Sequence, residues 1–273
     1  MNHRWWNHGA ETGKIKVVGL LVVAVLLFVC IMGAWPDRSM SVFMTKGDES
    51  SQKEEDVESP QEDSELKRPE IDPEKPMLAL TFDDGPGKYT DTLLNKLQEC
   101  NARATFLVLG QNVRKYPETV KRMEELGCEI GNHTYDHKKL TTLTPEEIQA
   151  EVEQTNQVLT EVLGHSASLV RPSYGAINDE VRANVAYPYL MWSVDTTDWQ
   201  RKDAVSIVNY VLETVQDGDI VLFHDIHDFT IEAMMTLIPA LQERGYQLVT
   251  VSEMAKLRGV IFENGQKYFH FRK

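Results

Sequence analysis

Two adjacent carboxylates, Asp83 and Asp84, stand in the sequence TFDDGP at residues 81–86, directly after the apolar run 77–80. An apolar run followed by Gly-Pro is typical of a buried strand that ends abruptly and leaves the acids in a loop. Two like charges at this spacing repel each other, so the pair is stable only where a metal ion or an arginine neutralises one of them. An isolated Asp-Asp-Gly is otherwise typical of a solvated turn.

Two histidines, His133 and His137, stand four residues apart in the sequence HTYDH. If the chain coils at this point, both imidazoles point the same way. Two histidines and one carboxylate are a common ligand set for a catalytic divalent metal ion with an open position for water. One carboxylate of the Asp83-Asp84 pair can then bind the metal while the other reaches the water. On its own, an HxxxH pair is more often a chance surface feature than a pair of metal ligands.

Chemically active side chains also end three further apolar segments. They occur in RPSYG at 171–175, DTTDW at 195–199 and LFHD at 222–225. Carboxylate, imidazole or guanidinium groups therefore follow five apolar segments, which a purely structural scaffold does not require. Active-site residues of a β/α barrel come from the C-terminal ends of several strands. The pattern therefore favours an active site over isolated turns.

The apolar segments predict seven short buried strands. They cover residues 77–82, 104–109, 128–131, 168–171, 189–194, 219–223 and 246–251. Helical patterns separate them: Pro117 opens one, a capping box at Thr144 opens another, and apolar stripes mark two more at 207–215 and 234–241. Such alternation implies parallel strands with right-handed crossovers. We predict an α/β fold, a distorted and incomplete (β/α) barrel of about seven parallel strands.

Taken in order, the five motifs resemble those of the polysaccharide deacetylases, the NodB-homology group of carbohydrate esterase family 4. The resemblance covers roughly residues 75–258. It implies a metal-dependent hydrolase that removes N-acetyl groups from a glycan and releases acetate. It also implies one divalent metal ion, for which we expect zinc, with cobalt or another transition metal as the alternative.

The resemblance assigns catalytic and metal-binding roles to residues of the first three motifs. Asp84, His133 and His137 would hold the metal ion. Asp83 would be the general base that acts on the water held by the metal. Arg171 would fix Asp83 and favour its ionised form.

The same resemblance assigns the proton donor and the pocket. His224 would be the general acid, and Asp198 would orient it and hold up its pKa. Tyr174 would help to hold the oxyanion through its backbone N–H, while Trp199 and Leu222 would be pocket walls. These roles meet the needs of acetamide hydrolysis, which requires a nucleophilic water, a stabilised oxyanion and a proton for the departing amine.

Three neighbouring residues are left without such a role. Asp195 shares its motif with Asp198, and the sequence alone does not decide which of them contacts His224. His227 is interpreted as a solvated loop histidine and Trp192 as a core residue.

The chain has 273 residues, 42% of them hydrophobic, and a formal net charge of −14. This length and composition suffice for one sizeable core. The negative charge argues against nucleic acid as a partner, because phosphate would be repelled. The sequence does not indicate an oligomeric state, so we assume a monomer.

An uncharged and almost wholly apolar segment at 17–35 is long enough for a helix that crosses a bilayer. Basic residues precede it and acidic residues soon follow, so the positive-inside rule places the N-terminus in the cytoplasm. We predict a short cytoplasmic N-terminus at 1–14, a transmembrane signal anchor at 15–35 and an extracellular catalytic domain on a single-pass protein of the cell membrane. A cleaved signal peptide is the rival interpretation.

Residues 36–74 are predicted to be an acidic, disordered linker, because their few aliphatic side chains cannot offset the conformational entropy of folding. The catalytic domain is predicted at 75–258. A C-terminal extension at 259–273 carries several aromatic residues, from which we expect a short strand or hairpin packed on the domain.

Cys100 and Cys128 each lie shortly before a predicted strand. Spacing alone gives no geometry, so a disulfide and two buried thiols both stay open.

The substrate is inferred from the predicted location. Outside a bacterial membrane the nearest polymer is peptidoglycan, so its N-acetylglucosamine is the expected glycan. Chitooligosaccharides and, for an O-acetyl esterase, acetylated xylan or another glycan are the alternatives. A non-catalytic, membrane-tethered glycan-binding protein is a further alternative, but binding alone requires neither a base at Asp83 nor an acid at His224.

Overall fold

The computed structural model describes residues 70–273. Within these residues the strands are β1 (Met77–Asp83), β2 (Thr105–Val108), β3 (Glu129–Asn132), β4 (Tyr189–Leu190), β5 (Val194–Asp195), β6 (Asp219–His224), β7 (Gln247–Leu248) and β8 (Lys267–Tyr268). The helices are α1 (Thr90–Glu99), α2 (Gly110–Lys115), α3 (Pro117–Glu125), α4 (Pro145–Leu163), α5 (Asp179–Asn184), α6 (Asp198–Arg201), α7 (Ala204–Thr214), α8 (Asp228–Glu243) and α9 (Val251–Leu257). Short 3-10 turns lie at Leu140–Thr142 and Ser173–Gly175.

The pairings between these strands are all parallel. β1 lies between β2 and β6, with β3 beyond β2 and β5 beyond β6, while β7 pairs with the first residues of β1. Val170 bridges β3 to β4, and β4 pairs with β8. An antiparallel bridge between Asp219 and His270 then leads back to β6. These bridges join the main sheet and the β4–β8 pair into a ring of strands, a distorted barrel. The predicted α/β class with parallel strands is confirmed.

Side chains of β1 alternate between two cores, as the period of a strand requires. One series faces the outer core beneath the helices and consists of Leu78, Leu80 and Phe82. The other series faces the inner core and begins with Met77 and Ala79. Asp83 continues the inner series at the end of the strand, where its register partner on β6 is His224. The alternation thus brings a carboxylate and an imidazole to one mouth of the barrel.

The predicted helices are present, and α3 and α4 begin at the predicted residues. α3 begins at Pro117. The Thr144 capping box opens α4, and Gly164 ends it with a left-handed φ of 85°. The two predicted apolar stripes lie in α7 and α8.

Two predicted strands are wrong in extent, one because of Pro172 and the other because of Arg171. The segment 168–171 forms only bridges at Val170, because Pro172 has no N–H to continue the ladder. The segment 189–194 divides into β4 and β5, since the Arg171 side chain donates to the carbonyls of Leu190 and Met191 at 3.1 and 2.9 Å. Between them the chain changes its partner from β8 to β6.

The last predicted strand, 246–251, is also shorter than expected. Pairing stops after Leu248, and Thr250 caps α9 by accepting a hydrogen bond from Glu253 N. The sequence from Thr250 to Glu253 is a capping box that the apolar pattern concealed.

The C-terminal residues contribute to the barrel. The short strand expected there is present as β8, whose partner is β4. Phe271 is buried in the inner core, and its N–H donates to Gly218 O at 2.7 Å.

The predicted cytoplasmic N-terminus at 1–14, the predicted anchor at 15–35 and residues 36–69 of the predicted linker lie outside the described residues. Between residues 70 and 273, no helix has the length and apolar character needed to cross a membrane. Ile71 packs on the inner core, and Asp72 N donates to Gln247 Oε1 at 2.8 Å. Cys100 and Cys128 are not joined by a disulfide in this part of the chain.

Candidate active site

The Asp83-Asp84 pair is held by packing and is not in a solvated turn. Asp83 ends β1 and is buried, whereas Asp84 adopts a φ of 70° that turns the chain out of the strand. Asn112 Nδ2 donates to the Asp84 carbonyl at 2.7 Å. The loop then passes so close to Asp225 that a Cβ on Gly85 would lie 2.3 Å from Asp225 Oδ1. A side chain at position 85 would therefore displace the Asp225 carboxylate.

Both predicted histidine ligands face Asp84. The Nε2 atoms of His133 and His137 lie 3.5 and 3.2 Å from Asp84 Oδ1. The helical turn expected to align them is absent: His133 follows β3, and the loop reaches His137 through left-handed residues at Thr134 and His137, with φ of 74° and 66°. The two imidazoles converge through loop geometry and not through helical spacing.

The chemistry of this cluster fits a divalent cation. Asp84 Oδ1 is buried without a hydrogen-bond partner, and potential ligand atoms of Asp84, His133 and His137 all lie within 4.8 Å of one another. His133 Nδ1 lies 2.6 Å from the carbonyl oxygen of Arg171. Because a carbonyl only accepts, Nδ1 carries a proton, and Nε2 is the nitrogen that faces Asp84.

The charges around Asp84 keep it available as a ligand. Burial alone raises the pKa of its carboxyl, but the interactions with His133 and the charge of His137 lower that pKa to about 2. Burial lowers the pKa of His137, which favours the neutral imidazole that metal ions bind.

Arg171 lies directly behind Asp83. Its guanidinium is fully buried and donates from Nη1 to Asp83 Oδ1 at 2.6 Å and to Thr81 Oγ1 at 2.9 Å. The other carboxylate oxygen, Oδ2, lies 3.6 Å from His133 Nε2. The buried arginine thus neutralises and orients Asp83 beside the Asp84–histidine cluster.

His224 stands on the neighbouring strand with a carboxylate behind it. Its Nδ1 lies 2.7 Å from Asp198 Oδ1, and its backbone N–H donates to Asp198 Oδ2 at 2.8 Å. Burial alone lowers the pKa of His224, but the hydrogen bond to Asp198 and the Asp198 charge outweigh it and raise that pKa to about 9. His224 is therefore protonated at neutral pH, and its free Nε2 is the donor available to the cavity.

Aromatic and aliphatic side chains surround these groups in a cavity of about 550 Å³. Leu222 lines its buried side, whereas Tyr174 and Trp199 are 66% and 48% exposed at its rim. Tyr174 adopts a left-handed φ of 63°, and its ring meets His137 edge-on at 4.5 Å between centroids. All ten residues singled out in the sequence lie at the same barrel mouth. Lining the cavity are Asp83, Asp84, His133, His137, Tyr174, Trp199, Leu222 and His224.

Two of the neighbouring residues line the cavity, which their sequence interpretation did not include. Trp192 packs on the inner core but also lines the cavity, with the Arg171 guanidinium 5.5 Å from its ring. His227 lines the cavity and stacks on Phe229 at 4.8 Å between centroids. Asp195 accepts a hydrogen bond from Thr197 N, and the residue that contacts His224 is Asp198.

Sequence reasoning missed side chains that hold the site from behind. Thr230, on α8, donates to Asp198 Oδ2 at 2.7 Å. Thr90 donates to the buried Asp225 carboxylate, which packs against the loop after Asp84. Thr230 stands 32 positions from Asp198, and no local spacing relates the two.

Comparison with known proteins links this site to a described family. A family model for polysaccharide deacetylase matches residues 70–191. The chain is 37% identical over 211 residues to the peptidoglycan-N-acetylmuramic acid deacetylase PdaC of Bacillus subtilis, and 38% identical over 209 residues to the peptidoglycan-N-acetylglucosamine deacetylase PgdA of Listeria monocytogenes. These alignments cover 77% and 76% of this chain but only 44% of each relative.

Solved structures share the fold over a larger part of their length. A structure described as T48 deacetylase with substrate is 42% identical, with a TM-score of 0.70, and the match covers 73% of this chain and 100% of that one. A family 4 acetyl xylan esterase from Clostridium thermocellum, in complex with cobalt, is 32% identical with a TM-score of 0.68. That match covers 71% of this chain and 98% of the esterase.

Proposed function

Because the chain belongs to the polysaccharide deacetylase family, we propose that it removes N-acetyl groups from a cell-surface glycan by metal-dependent hydrolysis and releases acetate. The observation that carries this proposal is the pair Asp83 and His224. They are register partners on β1 and β6, and each has its own buried counter-charge, Arg171 and Asp198.

Asp84, His133 and His137 would hold one divalent metal ion, with zinc as the first candidate and cobalt or another transition metal as the alternative. When bound, such an ion polarises the acetyl carbonyl and lowers the pKa of a water from about 15.7 towards about 7. The support for this site is the buried, unpartnered Asp84 Oδ1 between two imidazole nitrogens.

Asp83 would act as the general base. Arg171 occupies its Oδ1, so Oδ2 is the oxygen left to accept a proton from the attacking water. The guanidinium also prevents the carboxylate from turning away, because Thr81 and two backbone carbonyls hold the arginine in place. A proton acceptor in a defined position contributes about 10²- to 10⁴-fold to the rate.

His224 would act as the general acid. Since Asp198 accepts from Nδ1, the proton on Nε2 is the one donated to the departing sugar nitrogen. Thr230 and the His224 backbone N–H hold the second oxygen of Asp198, so the pair enters the reaction already oriented. The backbone N–H of Tyr174 would stabilise the oxyanion, and Leu222 and Trp199 would enclose the acetyl group and the sugar.

The charge of the cavity favours a neutral sugar. PdaC is named for N-acetylmuramic acid and PgdA for N-acetylglucosamine, so similarity alone leaves both units of peptidoglycan open. Muramic acid carries a lactyl carboxylate, yet no lysine or arginine is among the described residues that line the cavity, and Asp195 adds a negative charge. We therefore favour N-acetylglucosamine of peptidoglycan as the substrate.

The proposed enzyme works as a monomer at the outer face of the cell membrane. It would be held there by the predicted anchor at 15–35 and the acidic linker at 36–74. This location rests on the apolar run and the charge distribution of the sequence.

The test is acetate release by the full chain, stripped of metal and reloaded with zinc or cobalt. Purified peptidoglycan, chitooligosaccharides and acetylated xylan are assayed in parallel. We expect metal-dependent acetate from peptidoglycan, together with new free amines on glucosamine. New amines confined to muramic acid would refute the preference for a neutral sugar.

An O-acetyl esterase is the second candidate, because the structure also resembles an acetyl xylan esterase. Acetate from xylan alone would assign that activity. Glycan binding without acetate from any substrate would instead indicate a non-catalytic binding protein.

A further inference from the structure

The loop that carries His137 is built around a buried carboxylate to which neither the motifs nor the proposed mechanism gives a role. Glu151 lies on α4 and is only 5% exposed. Its Oε2 accepts hydrogen bonds from the backbone N–H groups of Tyr135 and Asp136 at 3.0 and 3.2 Å. Its Oε1 accepts from Lys138 Nζ at 3.0 Å.

The loop needs such support because its backbone is strained. Thr134 and His137 both have left-handed φ values, 74° and 66°, and neither is glycine. Side chains in this conformation are unfavourable unless the surroundings enforce it. The two N–H groups that Glu151 binds lie between these two residues.

The other side of the loop is held from α2 and β3. The N–H groups of Gly110 and Gln111, at the start of α2, each donate at 3.0 Å to the carbonyls of Thr134 and Tyr135. Thr134 N donates to Asn132 Oδ1 at 2.8 Å. Glu151 on one side, and α2 with Asn132 on the other, therefore hold the loop backbone and set the position of His137.

His137 depends on this backbone more than His133 does. His133 is buried, and its ring is fixed by the Arg171 carbonyl at 2.6 Å. The His137 ring is partly exposed; within residues 70–273 its polar contact is with Asp84 Oδ1, and Tyr174 touches its edge. Since none of the described residues holds the ring from behind by a hydrogen bond, its position follows from the loop.

We propose that Glu151 is a positioning residue for His137, holding the 134–137 backbone so that His137 Nε2 faces Asp84 and completes the metal site. The inference rests on the proposed function, because it treats His137 as a metal ligand. Groups that support a metal ligand from behind typically contribute about 10- to 100-fold to metal affinity.

Two conservative variants of the full chain separate the position of the acceptor from its charge. Glu151→Asp keeps the charge but withdraws the carboxylate by one methylene group. Glu151→Gln loses the charge but leaves an oxygen within reach of both backbone N–H groups. Glu153→Asp, an exposed position on the same helix, is the matched control.

The readout is the zinc dissociation constant of the metal-free protein, measured by chelator competition, with thermal unfolding as a check on folding. We expect Glu151→Asp to bind zinc about 10- to 100-fold more weakly than the wild type. Glu151→Gln and Glu153→Asp should stay close to the wild-type value. Unchanged zinc binding in folded Glu151→Asp, or equal weakening in Glu151→Gln, would overturn the proposal.

Acetate release from peptidoglycan is measured on the same samples. If the wild type binds zinc but releases no acetate, and Glu151→Asp binds zinc more weakly, the role of Glu151 is supported and the proposed function is refuted. If the wild type releases acetate and Glu151→Asp binds zinc as tightly as the wild type, the proposed function is supported and the role of Glu151 is refuted.

Discussion

A buried guanidinium is costly unless acceptors surround it, and Arg171 is surrounded by them. Asp83, Thr81, Leu190 and Met191 all accept from it, two of them through carbonyls that a regular sheet would have paired with backbone N–H groups. The candidate base is thus oriented by an arginine that interrupts a strand. The regular hydrogen bonding of the sheet is interrupted where the arginine that orients this carboxylate takes up two backbone carbonyls.

Asp83→Asn tests the base without removing a metal ligand. The amide cannot accept the proton, so we expect acetate release to fall by about 10²- to 10⁴-fold. Zinc binding should persist, because Asp84, His133 and His137 are unchanged. Both quantities are measured on purified protein.

His133→Ala is the companion variant, and it should lose zinc together with activity. Normal turnover in either variant would exclude the assigned roles.

The fall of kcat/KM at high pH, the alkaline limb of the pH profile, tests the proposed roles of His224 and Asp198. The pKa of His224 is raised from its ordinary 6.5 to about 9, so the acid form dominates at lower pH and is lost as the pH rises through that value. Asp198→Asn removes the charge that raises the pKa, so kcat/KM should begin to fall at a lower pH.

Asp195→Asn is the matched control, since Asp195 shares the motif but does not contact His224. The pH profile of kcat/KM should keep its alkaline limb in this variant. If Asp195→Asn moved the limb and Asp198→Asn did not, the assignment would be reversed.

At the scale of elements, the barrel is closed by its C-terminal segment. β8 supplies a partner to β4, and the bridge from His270 to Asp219 joins the last residues to β6. The C-terminal segment packs closely against the residue before β6, since a Cβ on Gly218 would lie 2.4 Å from Phe271 O. The predicted extension is therefore part of the scaffold beneath the site.

Phe271 and Phe269 form a matched pair for testing this closure. Phe271 is 5% exposed in the inner core, and Phe269 is 44% exposed. Removing a buried phenylalanine ring typically costs about 3–5 kcal/mol, so Phe271→Ala should lower the free energy of unfolding by about 3 kcal/mol.

Phe269→Ala should change the free energy of unfolding by no more than about 0.5 kcal/mol, because its ring is already in contact with solvent. Urea denaturation measures both variants. Equal losses in the two variants would show that the segment does not close the barrel.

At the scale of the whole molecule, metal binding and folding are linked. The three candidate ligands come from the loops after β1 and β3, which only the folded chain brings together. A ligand that binds the folded state alone stabilises it, by about 2.7 kcal/mol at 100 times its Kd. Zinc should therefore raise the midpoint of thermal unfolding.

Chelation should reverse this rise. His137→Ala, which removes one ligand, should show little or no rise at the same zinc concentration. A rise equal to that of the wild type would place the metal elsewhere in the chain.

The sequence by itself determined the chemical inventory and the local structure. The apolar run at 77–82 identified β1, and the capping box at Thr144 marked the start of α4. These signals are local, because an apolar run and a helix cap each depend on residues a few positions apart. The five motifs likewise identified residues that the structure brings to one mouth of the barrel.

Only the tertiary structure decided how those residues meet. Arg171 reaches Asp83 across 88 positions, Thr230 reaches Asp198 across 32, and Glu151 holds a loop 15 or 16 positions away. Such contacts depend on which strands and helices become neighbours, and the spacing of residues along the chain does not show which ones do. For the same reason the division of 189–194 and the closure by β8 could not be read from the chain, since each follows from a partner distant in sequence.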